Sequence, residues 1–273
     1  MLPILLNWGP LVLPAWHTFY VLGAFAAFSI LLYLGHSHAP DISQQDLSRL
    51  FTLSYVAGYL GARLLSILIE EPQVHGANAT LAALLRFGPM TFYGGAIAVF
   101  IFGGSYVLSR RLPFAAMMDL AIPAGLLALA LGRIGCFLNG DDYGKAVPLA
   151  SGGSPPFWAV TFPNLDDSIA RYPVQLFESA MVGFLVLSLC LGFSSIRRFG
   201  RPGLVGYLGI VGYANLRFGL EFLRDDFRGF AFGTWLSTSQ FISLIVLAVC
   251  GLSIPLWLQL TPISPRHQQN EAL

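Results

Sequence analysis

Charge is what this 273-residue chain has least of. Only 11% of its residues are Asp, Glu, Lys or Arg, while 55% are hydrophobic; a soluble globular domain carries about 25% charged residues. That shortage excludes an ordinary water-soluble fold and points to an all-α polytopic integral membrane protein. A net charge of +1 leaves no basic surplus, so nucleic acid is not an expected partner. Cysteine is scarce as well. Cys136, Cys190 and Cys250 lie in or at the ends of apolar segments, with neither metal-ligand spacing nor a disulfide framework. The five histidines form no cluster, and no metal site is expected. A basic leader with a small-residue cleavage site is missing from the start, so the chain from Met1 onward is expected to be retained. Internal repeats and low-complexity tracts are missing too.

What is present is a series of apolar runs. Seven are near the roughly 20 residues that a bilayer requires, at about 16–35, 49–69, 90–109, 114–138, 174–196, 203–223 and 238–260. They make a seven-helix membrane domain covering residues 1–273. Residues 1–15 are apolar but broken by Pro3, Pro10 and Pro14, and suit an interfacial lead-in better than a span. With the N-terminus outside, the inner loops and tail hold Arg49, Arg110, Arg111, Arg197, Arg198, Arg201 and Arg266, against Arg86, Lys145, Arg171, Arg224 and Arg228 outside. The compact Arg197-Arg198-Arg201 cluster in a short loop favours that orientation, with the C-terminus in the cytoplasm. The longest loop, 139–173, then lies outside. Its Ser151-Gly152-Gly153-Ser154-Pro155-Pro156 stretch and its Phe157-Trp158 pair suit a lid or a membrane-surface arm as well as a plain connector.

Six ionisable residues fall inside the spans: Arg63, Asp119, Arg133, Glu178, Arg217 and Glu221. A charge near the bilayer centre costs at least about 2.5–3.5 kcal/mol on insertion scales, so each needs a partner or a task. Structural ion pairs satisfy that need one at a time; six together suggest a polar chamber. Arg217 and Glu221 are spaced i, i+4 and share a helix face that Arg224 continues. Gln175 and Glu178, spaced i, i+3, share another. Arg133 closes a long apolar run and enters Gly132-Arg133-Ile134-Gly135-Cys136-Phe137-Leu138-Asn139-Gly140-Asp141-Asp142-Tyr143-Gly144. Its four glycines leave the backbone open to a ligand. Arg133 and Arg217 fall toward the outer ends of their spans, and two guanidiniums at one depth repel unless an anion sits between them. A phosphodiester suits that place, because guanidinium binds phosphate oxygens through paired hydrogen bonds.

Together these residues resemble the prolipoprotein diacylglyceryl transferase family. The run from Gly132 to Gly144 is similar to the family's G-R-x-G-N-F-x-N-G-E-x-x-G, and Tyr93-Gly94-Gly95 to its H-G-G. Tyr172-Pro173-Val174-Gln175-Leu176-Phe177-Glu178 is similar to its H-P-x-Q-L-Y-E. Tyr213 to Phe218 and Glu221 to Arg224 resemble its Y-x-x-x-R-F and E-x-x-R, and Ser239-Gln240 its G-Q near the last helix. The resemblance implies a bacterial plasma-membrane enzyme working at the outer leaflet without metal or cofactor. It implies phosphatidylglycerol as donor of a diacylglyceryl group and the lipobox cysteine of a preprolipoprotein as acceptor, with glycerol phosphate released. Carried over, Arg133, Arg217 and Tyr93 are the catalytic candidates. Cys136, Asn139, Gly144, Tyr213, Glu221, Arg224, Gln175 and Glu178 line the substrate site.

The chain departs from the family pattern at five places. Tyr93 and Tyr172 stand where the family has histidine, Cys136 where it has asparagine, Asp141 where it has glutamate, and Trp16 where it has a tyrosine. Tyrosine, with an unperturbed pKa near 10, is a poor base at neutral pH. The phosphate-binding half of the pattern is kept and the proton-handling half is altered. Two other readings therefore stay open: the same scaffold with a different acceptor, and a non-catalytic phospholipid-binding or transport protein.

Overall fold

In the computed structural model the described residues are 1–9, 11–71, 73–74, 76–86, 88, 90–149, 153–165, 167–198, 201–225 and 235–260. Among them run two strands, β1 (Ile4–Trp8) and β2 (Leu11–Pro14), and eight helices: α1 (Ala15–His38), α2 (Gln44–Glu70), α3 (Ala77–Leu84), α4 (Phe92–Ser109), α5 (Phe114–Asn139), α6 (Val174–Arg197), α7 (Leu204–Leu220) and α8 (Thr238–Leu260). Six are long and apolar enough to cross a membrane: α1, α2, α4, α5, α6 and α8. The seventh expected span is α7, 17 residues long, followed directly by a 3-10 turn at Glu221–Leu223. The protein is an all-α polytopic membrane protein.

Two elements were not foreseen. The lead-in forms an antiparallel hairpin in which β1 is exposed throughout, and Gly9 has a positive φ of 59°. Leu2 N–H donates to the Leu138 carbonyl (3.0 Å), which ties the hairpin to the end of α5. The short α3 lies within a stretch expected to be loop.

The chain divides into two compact units, Leu31–Met117 and Met1–Ile30 with Met118–Leu273. In the first, α2 and α4 meet along small residues. A Cβ built on Gly61 would come within 2.6 Å of the Gly94 carbonyl oxygen, and one on Gly95 within 3.0 Å of that of Gly58. The close packing expected of Gly94-Gly95 is found, and it brings backbone against backbone. Ser43 caps α2 by accepting from Asp46 N–H at 3.0 Å. The buried Arg63 pairs with Glu71 and donates through Nε to the Ala83 carbonyl at 3.2 Å, so its charge serves the local structure.

In the second unit, α1 approaches α5 closely; a Cβ on Gly23 would lie 2.9 Å from the Ala128 oxygen. The α6 helix is tied to α5 by Ser179 Oγ donating to the Ala130 carbonyl (2.8 Å). The fully buried Asp119 accepts from Gly203 N–H (2.8 Å) and Gly206 N–H (3.0 Å). Those are first-turn donors of α7 with no partner inside that helix, and an anion there also complements the helix dipole. Asp119→Ala strands both N–H groups in an apolar setting. It is expected to cost about 2 kcal/mol, and Asp119→Asn, with one acceptor left, about half. Denaturant unfolding in detergent checks this; an unchanged midpoint for Asp119→Ala would show that the cap does not stabilise α7.

Candidate active site

The last turns of α5 place Arg133, Cys136 and Asn139 at three-residue spacing on one face. Gly140, with φ 87°, ends the helix, and its N–H returns to the Cys136 carbonyl at 2.9 Å. Asp142 also has a left-handed backbone, φ 61°, which reverses the chain. Its carboxylate comes back to Arg133, with Oδ2 2.6 Å from Nη1.

From there the charges close into a ring. Asp142 Oδ1 lies 3.1 Å from Arg224 Nη2. Arg224 Nε lies 3.7 Å from Glu221 Oε2, which is 2.9 Å from Arg217 Nη2. Arg217 Nη1 lies 3.9 Å from Glu178 Oε2, and the same oxygen is 2.8 Å from Arg133 Nε. Three guanidiniums and three carboxylates alternate, contributed by the end of α5, the loop after it, α6, α7 and the 3-10 turn. Tyr213 Oη donates to Glu178 Oε1 at 3.1 Å, and Arg217 Nη2 to Ser239 Oγ at 2.9 Å. Glu178 has no exposed surface. The expected anion between Arg133 and Arg217 is thus present within the chain: it is the Glu178 carboxylate. Their proximity needs no ligand to explain it.

The other expected residues surround this ring. Gln175 is buried, and its Nε2 donates to the Asp141 carbonyl. Asn139 Nδ2 donates to the Asp141 carboxylate. Cys136 Sγ sits 3.9 Å from Arg133 Nη1. Gly144 pairs with Arg224 in an antiparallel bridge, and its N–H donates to the Tyr172 carbonyl at 3.2 Å. A Cβ on Gly144 would lie 2.6 Å from a Val174 methyl group, so the position is too tight for a side chain.

The sequence matches a family profile described as Prolipoprotein diacylglyceryl transferase over residues 3–257. The chain belongs to that family. It is 32% identical over 258 residues to a phosphatidylglycerol–prolipoprotein diacylglyceryl transferase of Bordetella parapertussis, covering 92% of this chain and 93% of the relative. Proteins of the same name from Cupriavidus necator (29%, 90% and 91% covered) and Gluconacetobacter diazotrophicus (30%, 96% and 92% covered) are similarly close.

Within the diacylglyceryl transferase family's pattern, Asp142 is the ring member that the sequence did not single out. The usable signal was an aspartate, a residue that tolerates left-handed backbone, between two glycines. A second cluster was also missed. Arg171 Nη1 lies 2.6 Å from Asp225 Oδ2 and Nη2 2.9 Å from Asp167 Oδ2, and its guanidinium sits 5.1 Å from the centre of the Tyr143 ring. The Arg171 hydrogen bond, with the Ile169 N–H, holds the Asp167 carboxyl below the usual carboxylate range. Lys145 N–H to Leu223 O (2.8 Å) and Val147 N–H to Ala170 O (2.8 Å) knit the 139–173 segment to itself and to the turn carrying Arg224. Trp158 stacks on Tyr172 at 5.3 Å, while Phe157 is fully exposed. Ser151 and Gly152, part of the stretch read as a lid or arm, lie outside the described residues.

Of the positions where the chain departs from the family, Trp16 stacks on Tyr20 at 5.5 Å. Its backbone borders the motif helix, since a Cβ on Gly135 would meet Trp16 Cα at 3.3 Å. Tyr93 is on the first turn of α4, in the Leu31–Met117 unit, half-buried with its ring edge against Phe92.

Proposed function

We propose that this protein transfers the diacylglyceryl group of phosphatidylglycerol to the lipobox cysteine of a preprolipoprotein, at the outer face of the bacterial plasma membrane. The acceptor sulfur, having lost its proton, forms a thioether bond to the glyceryl carbon. The bond from that carbon to the phosphate oxygen breaks, and glycerol phosphate leaves with the electron pair. The observation that carries the reading is the convergence of Arg133, Arg217 and Arg224 in one largely buried ring of charges. Three permanently charged forks in a low-dielectric setting are suited to hold a phosphate and to offset the charge that grows on the leaving group. The names of the relatives agree with it. Glu178, held by Tyr213, positions Arg133 and Arg217, Gln175 braces the loop through the Asp141 carbonyl, and Cys136, Asn139 and Gly144 shape the headgroup pocket. The Arg197-Arg198-Arg201 cluster in a short loop supports an orientation with the N-terminus outside and the C-terminus in the cytoplasm.

Tyr93 and Cys136 favour a second reading, the same scaffold serving another acceptor. One assay separates the two. Purified protein, radiolabelled phosphatidylglycerol and a lipobox peptide are combined, and label on the peptide is followed. Transfer by the native protein is the expected result. No transfer by the native protein, with transfer gained by Tyr93→His with Cys136→Asn, would show that transfer to a lipobox cysteine has been lost, as the second reading requires.

A further inference from the structure

The ring has no surplus charge: Arg133, Arg217 and Arg224 are matched by Asp142, Glu178 and Glu221. A phosphate ester entering it adds negative charge that nothing there balances, and an unbalanced buried charge is strongly unfavourable. One carboxylate has to give way, and Asp142 is the one placed to do so. Glu178 has no exposed surface, Glu221 is 7% exposed, and both begin on helical segments; Asp142 stands on a loop and is 15% exposed. Its two oxygens are divided one to each guanidinium, Oδ2 to Arg133 at 2.6 Å and Oδ1 to Arg224 at 3.1 Å. Two oxygens of a phosphate would be held in the same manner. The backbone on both sides is anchored, by Asp141 N–H to Cys136 O (3.1 Å), Asp225 N–H to Tyr143 O (3.3 Å) and Gly144 N–H to Tyr172 O (3.2 Å). The carboxylate can swing away by rotation of its own side chain while the loop stays in place.

We infer that Asp142 is an intramolecular stand-in for the donor's phosphate: its carboxylate occupies the position between Arg133 and Arg224 that a phosphate ester takes, and it moves aside when that ester binds. The inference rests on the phosphate reading proposed above. Asp142 acts through the two arginines and is a positioning residue. In the empty site it keeps both guanidiniums aimed at one point, and it competes with every incoming anion. The ligand class is a phosphate ester, on a phospholipid or free as glycerol phosphate.

Two substitutions test this. Asp142→Asn removes the charge and keeps the size; Asp142→Gly removes the group at a left-handed position that glycine adopts without strain. Full-length protein in neutral detergent is titrated with glycerol phosphate and, separately, with phosphatidylglycerol in mixed micelles. Thermal stabilisation reports binding, and the transfer assay reports KM and kcat. Both variants are expected to bind about 3- to 10-fold more tightly, with KM falling by a similar factor, because a competing state has been removed. A gain with both probes assigns the site to the headgroup alone; a gain with the lipid only shows that the anion enters on the lipid. Equal or weaker binding by folded variants overturns the inference. So does a fall in kcat at unchanged KM, the mark of a carboxylate with only a structural role. If one variant fails to fold the other decides, and if both fail, Asp142 holds the ring together and the inference falls. Wild-type protein that binds neither probe would instead defeat the phosphate reading itself.

Discussion

Arg133→Ala is expected to lower the transfer rate by about 10²–10³-fold, the range for losing one preorganised charge-stabilising donor. Arg133 spans two anions, with Nε on Glu178 at 2.8 Å and Nη1 on Asp142 at 2.6 Å. A lysine is a point charge and cannot serve both directions. Arg133→Lys should therefore recover only part of the loss, although the formal charge is kept. Arg217→Ala is expected to behave like Arg133→Ala. Initial rates of label transfer, with melting curves to confirm that each variant is folded, measure both effects. An Arg133→Ala protein working at more than about a tenth of the wild-type rate would remove the arginine from the chemistry.

Glu178→Ala is expected to be the most destabilising single change, at about 3–5 kcal/mol, because removing one partner of a buried ionic network leaves the others uncompensated. Glu178 Oε2 is the shared anion for Arg133 and Arg217, and Oε1 accepts from Tyr213 at 3.1 Å. Glu178→Gln retains shape and an acceptor for Tyr213 but leaves the ring with net positive charge. It should lose somewhat less than Glu178→Ala. Pairing it with Arg217→Gln should then restore part of the loss, a coupling that a double-mutant cycle in detergent would read directly. If Glu178→Gln unfolds at the wild-type denaturant concentration, the ring is not closed through α6 and the account of the site is wrong.

The long apolar helices were legible in the sequence because a bilayer accepts few charges, and the apolar runs are bounded by Arg, Asp and Gly. The helix at 114–139 ends one residue past the 114–138 expected, and that at 174–197 one residue past 174–196. The N-terminal hairpin was not legible, since an apolar stretch cut by three prolines shows no alternation of polar and apolar residues to mark its strands. Five ring members stood out because they are charges in or beside apolar runs. Asp142 did not, because neighbouring aspartates at a helix end look alike until a left-handed φ turns one of them inward. The spacing also showed that Arg133 and Arg217 need an anion, but not that the chain itself supplies one. Two of the six charges inside the apolar runs proved to be structural: Arg63 braces α2 against the α3 segment, and Asp119 caps α7.

The order in which ring members appear along the chain bears on how the protein assembles. Arg133, Asp142 and Glu178 leave the ribosome first, and together they carry one excess negative charge; Arg217, Glu221 and Arg224 follow with one excess positive charge. Each half is an incomplete site unsuited to the membrane interior, and the two halves attract. The arrival of α7 therefore neutralises what α5 and α6 brought in, which makes translation through Arg224 the earliest moment at which the ring can close.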